Sequence, residues 1–240
     1  MNVKDVLCGR EYGPCGKLLG NQLVIPVFVS TPRCLWNQAE IDDVFKQLYE
    51  ARNLLYSSAM LYNIKVNIVY AYFSFKVSVS HRTDGQWLTE LLKCHFERDS
   101  LSELSYYYAK AFGKDGCAFL FFFKSKARSF AYNAMSNHPY WVDERAEISV
   151  DCASAKGVAY TILHELLHLY GAVDLYYPTQ IKEEAAKHFP DSVMYRYRGW
   201  EIDSLNAYLI GWTDTLDQTA QDFINIFDKV KSFSPPSVGI

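Results

Sequence analysis

Residues 155–174 read AKGVAYTILHELLHLYGAVD. Ala159, Ile162, Leu163, Leu166, Leu167 and Tyr170 recur at spacings of three and four, the period of an α-helix with an apolar stripe. Ser154 offers a cap at the start and Gly171 a left-handed stop at the end, so a helix is predicted over Ala155–Tyr170. Upstream, Leu23–Ser30 is rich in Val, Ile and Phe and closes at Thr31-Pro32, as a buried strand does. Ile41, Val44, Phe45, Leu48, Ala51, Leu54 and Leu55 predict a long amphipathic helix over Gln38–Leu61. Strands follow at Val66–Tyr72 and Phe75–Ser80, helical spacing at Trp87–Phe96 and Leu101–Phe112, and a buried strand at Cys117–Phe123. Ala127–Ala134 and Tyr140–Val150 alternate loosely, in the manner of edge strands with a long loop. Downstream, helices are predicted at Ile181–His188, Asp203–Trp212 and Leu216–Val230, ahead of a Ser234-Pro235-Pro236-Ser237 tail. No repeat or low-complexity linker divides the 240 residues, which predicts one unit of mixed α/β (α+β) class, strands first and helices last.

Inside the 155–170 helix the sequence is His164-Glu165-Leu166-Leu167-His168. Four helical residues turn through about 400°, so the two imidazoles stand on one face, one turn apart, close enough to share a metal ion. Glu165 lies about 100° round the helix, where its carboxylate reaches a metal-bound water without needing to ligate. A catalytic zinc takes three protein ligands and leaves one position open. Gly171 lets the chain reverse just beyond the helix, so Asp174 can swing back as the third ligand. Two imidazoles and a carboxylate in adjacent turns of an apolar helix would be costly to bury without a common partner, and a metal is the economical one.

The pattern His164, Glu165, His168, Gly171, Asp174 resembles the metzincin clan of zinc metalloproteases, with the aspartate third ligand of the snapalysin type. Ser192-Val193-Met194-Tyr195 resembles that clan's Met-turn. The resemblance implies a zincin fold: a mixed twisted sheet, a long N-terminal helix, an active-site helix and C-terminal helices. It implies one catalytic Zn2+ held by His164, His168 and Asp174, with Glu165 as general base and with Gly171 and Met194 supporting the site. The cleft is expected between roughly residues 1–171 and 172–240, with an extended peptide lying along an edge strand. Position 196, where some relatives carry a zinc-contacting tyrosine, is Arg196, between Tyr195 and Tyr197. The aspzincins offer a second resemblance through Gly171, Asp174 and Tyr177, in which Tyr177 assists the transition state; Ala172 departs from their threonine. A thermolysin-like site would instead draw a ligand from Glu183, Glu184 or Glu201.

The activity so implied is hydrolysis of peptide bonds by a metal-activated water. The extra negative charge of Asp174 predicts a less acidic water than a three-histidine site gives. A non-enzymatic zinc module is the alternative, and Glu165 argues against it, having no task in a simple metal clip. A ribosomal-RNA-processing endonuclease family shares the three-ligand pattern but carries Gly where this chain has Glu165.

Lys plus Arg number 24 against 27 Asp plus Glu, a formal charge of -3, so no cationic excess favours nucleic acid. The longest apolar runs, Leu23–Val29 and Cys117–Phe123, fall far short of the roughly 20 residues that span a bilayer. Residues 1–13 lack the basic start and apolar block of a secretory signal, which predicts a cytoplasmic protein or a mature secreted form. Six cysteines without a C-x-x-C pair exclude a zinc ribbon. Cys8 and Cys15 flank a short loop and would bridge only in an exported protein. The expected partner is a protein or peptide substrate, and nothing in the sequence sets an oligomeric state.

Overall fold

A computed structural model describes residues 13–30, 34–71, 75–78, 86–133, 143–152, 157–177, 179–195 and 199–232. The expected cap Ser154, Cys8, Arg196, Tyr197, the 234–237 tail and all of 134–142 lie outside them. Six strands form one mixed sheet. Strand β1 (Gly20–Ser30) is its spine, because both of its edges are used along nearly its whole length. Parallel strand β4 (Gly116–Phe123) takes one edge over Gln22–Val29. The other edge is shared in sequence by β2 (Val66–Tyr70) against Gly20–Val24 and β3 (Phe75–Ser78) against Val27–Ser30, both parallel. Strand β6 (Arg145–Ser149) runs parallel to β4, and the short β5 (Phe130–Tyr132) pairs antiparallel with β6 at the rim.

Strands buried on both faces read as continuous apolar runs, and β4, GCAFLFFF, is buried at every position. Its period of two divides it between two cores. Ala118, Leu120 and Phe122 face one, with Val24 and Phe28 of β1. Cys117, Phe119, Phe121 and Phe123 face the other, with Leu23, Ile25, Val27 and Val29. The second core is roofed by helix α2 (Gln86–Leu91), its π-helical continuation Leu92–Phe96, and α3 (Leu101–Ala111). The spacing over Trp87–Phe96 predicted one helix. Glu97, at φ 52, instead ends a widened last turn in the left-handed region.

The first core holds the long helix α1 (Gln38–Leu61), with the bounds its periodicity predicted. Asn37 and Glu40 form a capping box: Glu40 N donates to Asn37 Oδ1 and Asn37 N to Glu40 Oε2, each at 3.0 Å. Ile41, Val44, Leu48, Ala51 and Leu55 of α1 share this core with Ala159, Ile162, Leu163 and Leu166 of α4 (Val158–Leu169), the helix of the HELLH run. Helix α4 begins later than predicted, behind Gly157 at φ 95, and has no side-chain cap; Gln47 of α1 accepts from Ala159 N at 3.1 Å instead. Helices α5 (Thr179–His188), α6 (Ser204–Leu209) and α7 (Gln218–Ser232) close the core below α4. Tyr140–Val150 was expected at an edge, yet β6 is an interior strand with Ala146 and Ile148 fully buried, and of the two stretches expected at an edge only the one holding β5 forms a rim. Among the described residues no helix is long and apolar enough to cross a membrane.

Candidate metal centre

Helix α4 is buried on most of its circumference, and His164 and Glu165 are each 6% exposed. The imidazoles of His164 and His168 lie one turn apart, ring centres 4.7 Å from each other and planes at 89°. The helix then stops in a Schellman turn: Ala172 N donates to Leu167 O at 3.1 Å and Gly171 N to His168 O at 3.0 Å, with Gly171 at φ 99. This reversal returns two groups to the helix. Ala172 O comes within 2.8 Å of His168 Nδ1, and Asp174 Oδ1 within 3.1 Å of His164 Nε2 and 3.2 Å of His168 Nε2.

The other imidazole is oriented from the turn at Ser192–Tyr195, where Val193 O lies 3.1 Å from His164 Nδ1. A carbonyl can only accept, so both Nδ1 atoms carry hydrogens and both neutral rings turn a lone pair inward at Nε2. The two Nε2 atoms are 3.2 Å apart. With both rings neutral, three electron-rich atoms converge with no hydrogen between them, and the buried Asp174 Oδ1 has the two Nε2 atoms as its neighbours. These three residues could hold a metal ion. Bonds of 2.0–2.1 Å to a tetrahedral ion place neighbouring ligand atoms about 3.3 Å apart, close to the separations seen. In the metal-free site the same demand for positive charge is met by a proton. Burial disfavours a charged His168, but the Asp174 carboxylate outweighs it and the imidazole is pushed up to about 9. Burial likewise works against an ionised Asp174, yet the two histidines hold its carboxyl far below the usual range. Burial raises the Glu165 carboxyl above its ordinary value, and both histidines partly offset that.

Tyr176 stacks on His164, ring centres 6.1 Å apart at 24°. Arg128, two residues ahead of β5, donates to the Tyr176 hydroxyl and holds its guanidinium 5.6 Å from the ring centre. Burial beside Asp174 drives the Tyr176 phenol up. Tyr177, the residue of the aspzincin-like alternative, points outward and is 77% exposed. Sequence reasoning missed Arg128, whose only signal was its place inside the candidate edge stretch Ala127–Ala134. Glu184 is engaged with Lys187, and neither it, Glu183 nor Glu201 joins the His-His-Asp group.

Met194 is fully buried, and its carbonyl accepts from Leu175 N at 3.0 Å, directly after Asp174. Glu201 fastens the turn from outside, its carbonyl accepting from Val193 N at 2.9 Å. Gly199 makes this approach possible, because a Cβ there would stand 2.2 Å from the carbonyl oxygens of Asp191 and Ser192.

No protein-family model matches the chain, and no curated protein matches it. Among solved structures, the crystal structure of metalloproteinase-II from Bacteroides fragilis is similar, with a TM-score of 0.38 and 10% sequence identity. The match covers 85% of this chain and 60% of that one, so the chain spans less than two thirds of the length of that structure.

Proposed function

We propose that the chain is a zinc-dependent endopeptidase of metzincin type, in which His164, His168 and Asp174 hold the ion and Glu165 is the general base. The observation that carries this reading is the inward convergence of three lone-pair donors beside a buried glutamate. Two imidazoles and one carboxylate suit zinc, whereas calcium and magnesium prefer six or more oxygen ligands. A zinc ion held there would supply Lewis acidity, lowering the pKa of a water and polarising a scissile carbonyl.

The protein's own groups supply the rest. Glu165, its carboxyl raised by burial, takes the proton of the attacking water and hands it to the leaving amine. Val193 O and Ala172 O fix the two ring tautomers and keep both Nε2 atoms aimed inward. Tyr176, stacked on His164, and Arg128, which donates to its hydroxyl, bring an O–H and a guanidinium beside the ligand group, donors suited to the charge that develops on the attacked carbonyl. An extended peptide adds itself to the outer edge of β5, which pairs only with β6 among the described residues.

Glu165→Gln decides the reading when parent and variant are both loaded with zinc and offered a peptide library, with and without chelator. We expect one zinc per chain in both proteins and a loss of hydrolysis of about 10²–10⁴-fold in the variant. A variant that cleaves as well as the parent overturns the assignment of Glu165. A parent that holds zinc and cleaves nothing is the non-enzymatic zinc module instead.

A further inference from the structure

Behind the candidate ligands lies a buried polar cluster that the proposed chemistry does not use: Ser192 (2% exposed), Asp203 (8%) and Asn206 (0%). Ser192 Oγ donates to Asp203 Oδ2 at 2.6 Å and accepts from Met194 N at 3.0 Å. Asn206 Nδ2 donates to the same Oδ2 at 2.9 Å, while Asn206 Oδ1 accepts from Val173 N at 2.7 Å. Asp203 Oδ1 accepts from Asn206 N at 3.0 Å and caps α6.

Every polarity in this chain follows from one group. Burial pushes the Asp203 carboxyl up, while Asn206 and Ser192 donate to it and favour the ionised form; that carboxylate only accepts, so the Ser192 hydroxyl points at it and is left with a lone pair for Met194 N–H. For the same reason the Asn206 amide turns its NH2 to Asp203 and its oxygen to Val173. One end of the chain of bonds reaches the turn whose Val193 carbonyl orients His164; the other reaches Val173, between the Ala172 carbonyl that orients His168 and Asp174 itself.

We propose that Asp203 is a positioning residue for all three candidate metal ligands, acting through the direction of this hydrogen-bond relay. The inference rests on reading His164, His168 and Asp174 as metal ligands. Capping α6 does not require a carboxylate, since Asn serves as well as Asp at an N-cap. Asp203→Asn therefore keeps the shape and the cap and alters the polarity at one oxygen position. There the new NH2 meets the Asn206 NH2, two donors face to face. If Asn206 flips to relieve this, its NH2 confronts Val173 N–H, and the conflict moves next to Asp174. Exchanging the pair, Asp203→Asn with Asn206→Asp, restores donor against acceptor at both contacts and leaves only the Ser192 hydroxyl without its acceptor.

The test measures zinc affinity of the full chain by competition with a chromophoric chelator, the visible spectrum of the cobalt-loaded protein, and thermal unfolding. Asp203→Asn should weaken zinc binding about 10- to 100-fold, the usual cost of losing an outer-shell partner, and shift the cobalt bands. The exchanged pair should recover most of the affinity and the parental spectrum. Leu104→Ala, a cavity in the opposite core, should lower the melting temperature while leaving zinc affinity unchanged. Parental affinity and spectrum in Asp203→Asn overturn the inference, as does an exchanged pair that folds but binds no better than the single variant. If Asp203→Asn does not fold, the exchanged pair decides in the same way. A parent that binds neither ion overturns the metal reading, and this inference falls with it.

Discussion

Burial alone would keep His168 below its ordinary value, but the Asp174 carboxylate wins and pushes it up to about 9, so at pH 7 the metal-free site carries a proton. A raised histidine stabilises the fold fully below the unfolded value of about 6.5, and that contribution is lost as pH rises through about 9. The melting temperature of the metal-free protein should therefore fall between roughly pH 7 and 10. Zinc must displace this proton, so its apparent affinity should rise about tenfold per pH unit up to about 9. Titration calorimetry in buffers of different ionisation enthalpy should count one proton released per ion. Gly171→Ala probes a different cost. Its Cβ would stand 3.5 Å from Leu209 O, so space is adequate, but φ 99 is not. About 1–3 kcal/mol of stability should be lost in denaturant unfolding, together with zinc affinity. Within 164–174 the spacing of the residues was enough to expect the three donors together, because a helix and one glycine turn set their positions locally. The choice between Tyr176 and Tyr177 was not legible. It depends on which way consecutive side chains leave an irregular segment, and only packing against His164 settles that.

Among the elements, α1 is the most literal reading of its periodicity, because a capping box and an uninterrupted apolar stripe agree on its ends. Helix α4 departs at its start because its first turn is secured by Gln47 from another helix, a partner that no local pattern announces. Strand β1 starts earlier than its apolar run, at Gly20, since β2 pairs with the backbone of Gly20, Asn21 and Gln22 whatever their side chains. Arg128 stayed hidden for a similar reason: the register of β5 on β6 brings it to Tyr176 from a remote part of the chain. A turn at 192–195 was expected from the sequence, whereas its support from Gly199 was not. Gly199→Ala drives a Cβ into two backbone carbonyls, which no side-chain rotation can relieve. It should break the Ser192–Glu201 bridge, free Val193 O from His164, and reduce zinc affinity by more than Gly171→Ala does, as measured by the same chelator competition.

Across the whole molecule, one sheet separates a core that carries the candidate site from one that does not. Saturation with zinc at about 100 times its Kd should add about 2.7 kcal/mol to stability. For a chain of this size that is a rise in melting temperature of about 5–10 °C, reversed by chelator. The gain should be nearly unchanged by Leu104→Ala, because that side chain belongs to the opposite core. The mixed α/β class was legible from the order of apolar runs, while the strand order was not, since parallel neighbours are joined through long crossovers that leave no local trace.

The His-His-Asp group has a temporal side as well. All its donors lie between His164 and Asp174, but the carbonyl that aims His164 belongs to Val193, and the carboxylate behind both turns to Asp203. A ribosome releases the grip before it releases the braces. On the metal reading, the donors emerge first and the last fifth of the chain, from about Val193 onward, supplies the groups that aim them, so translation order separates the making of the donors from their alignment.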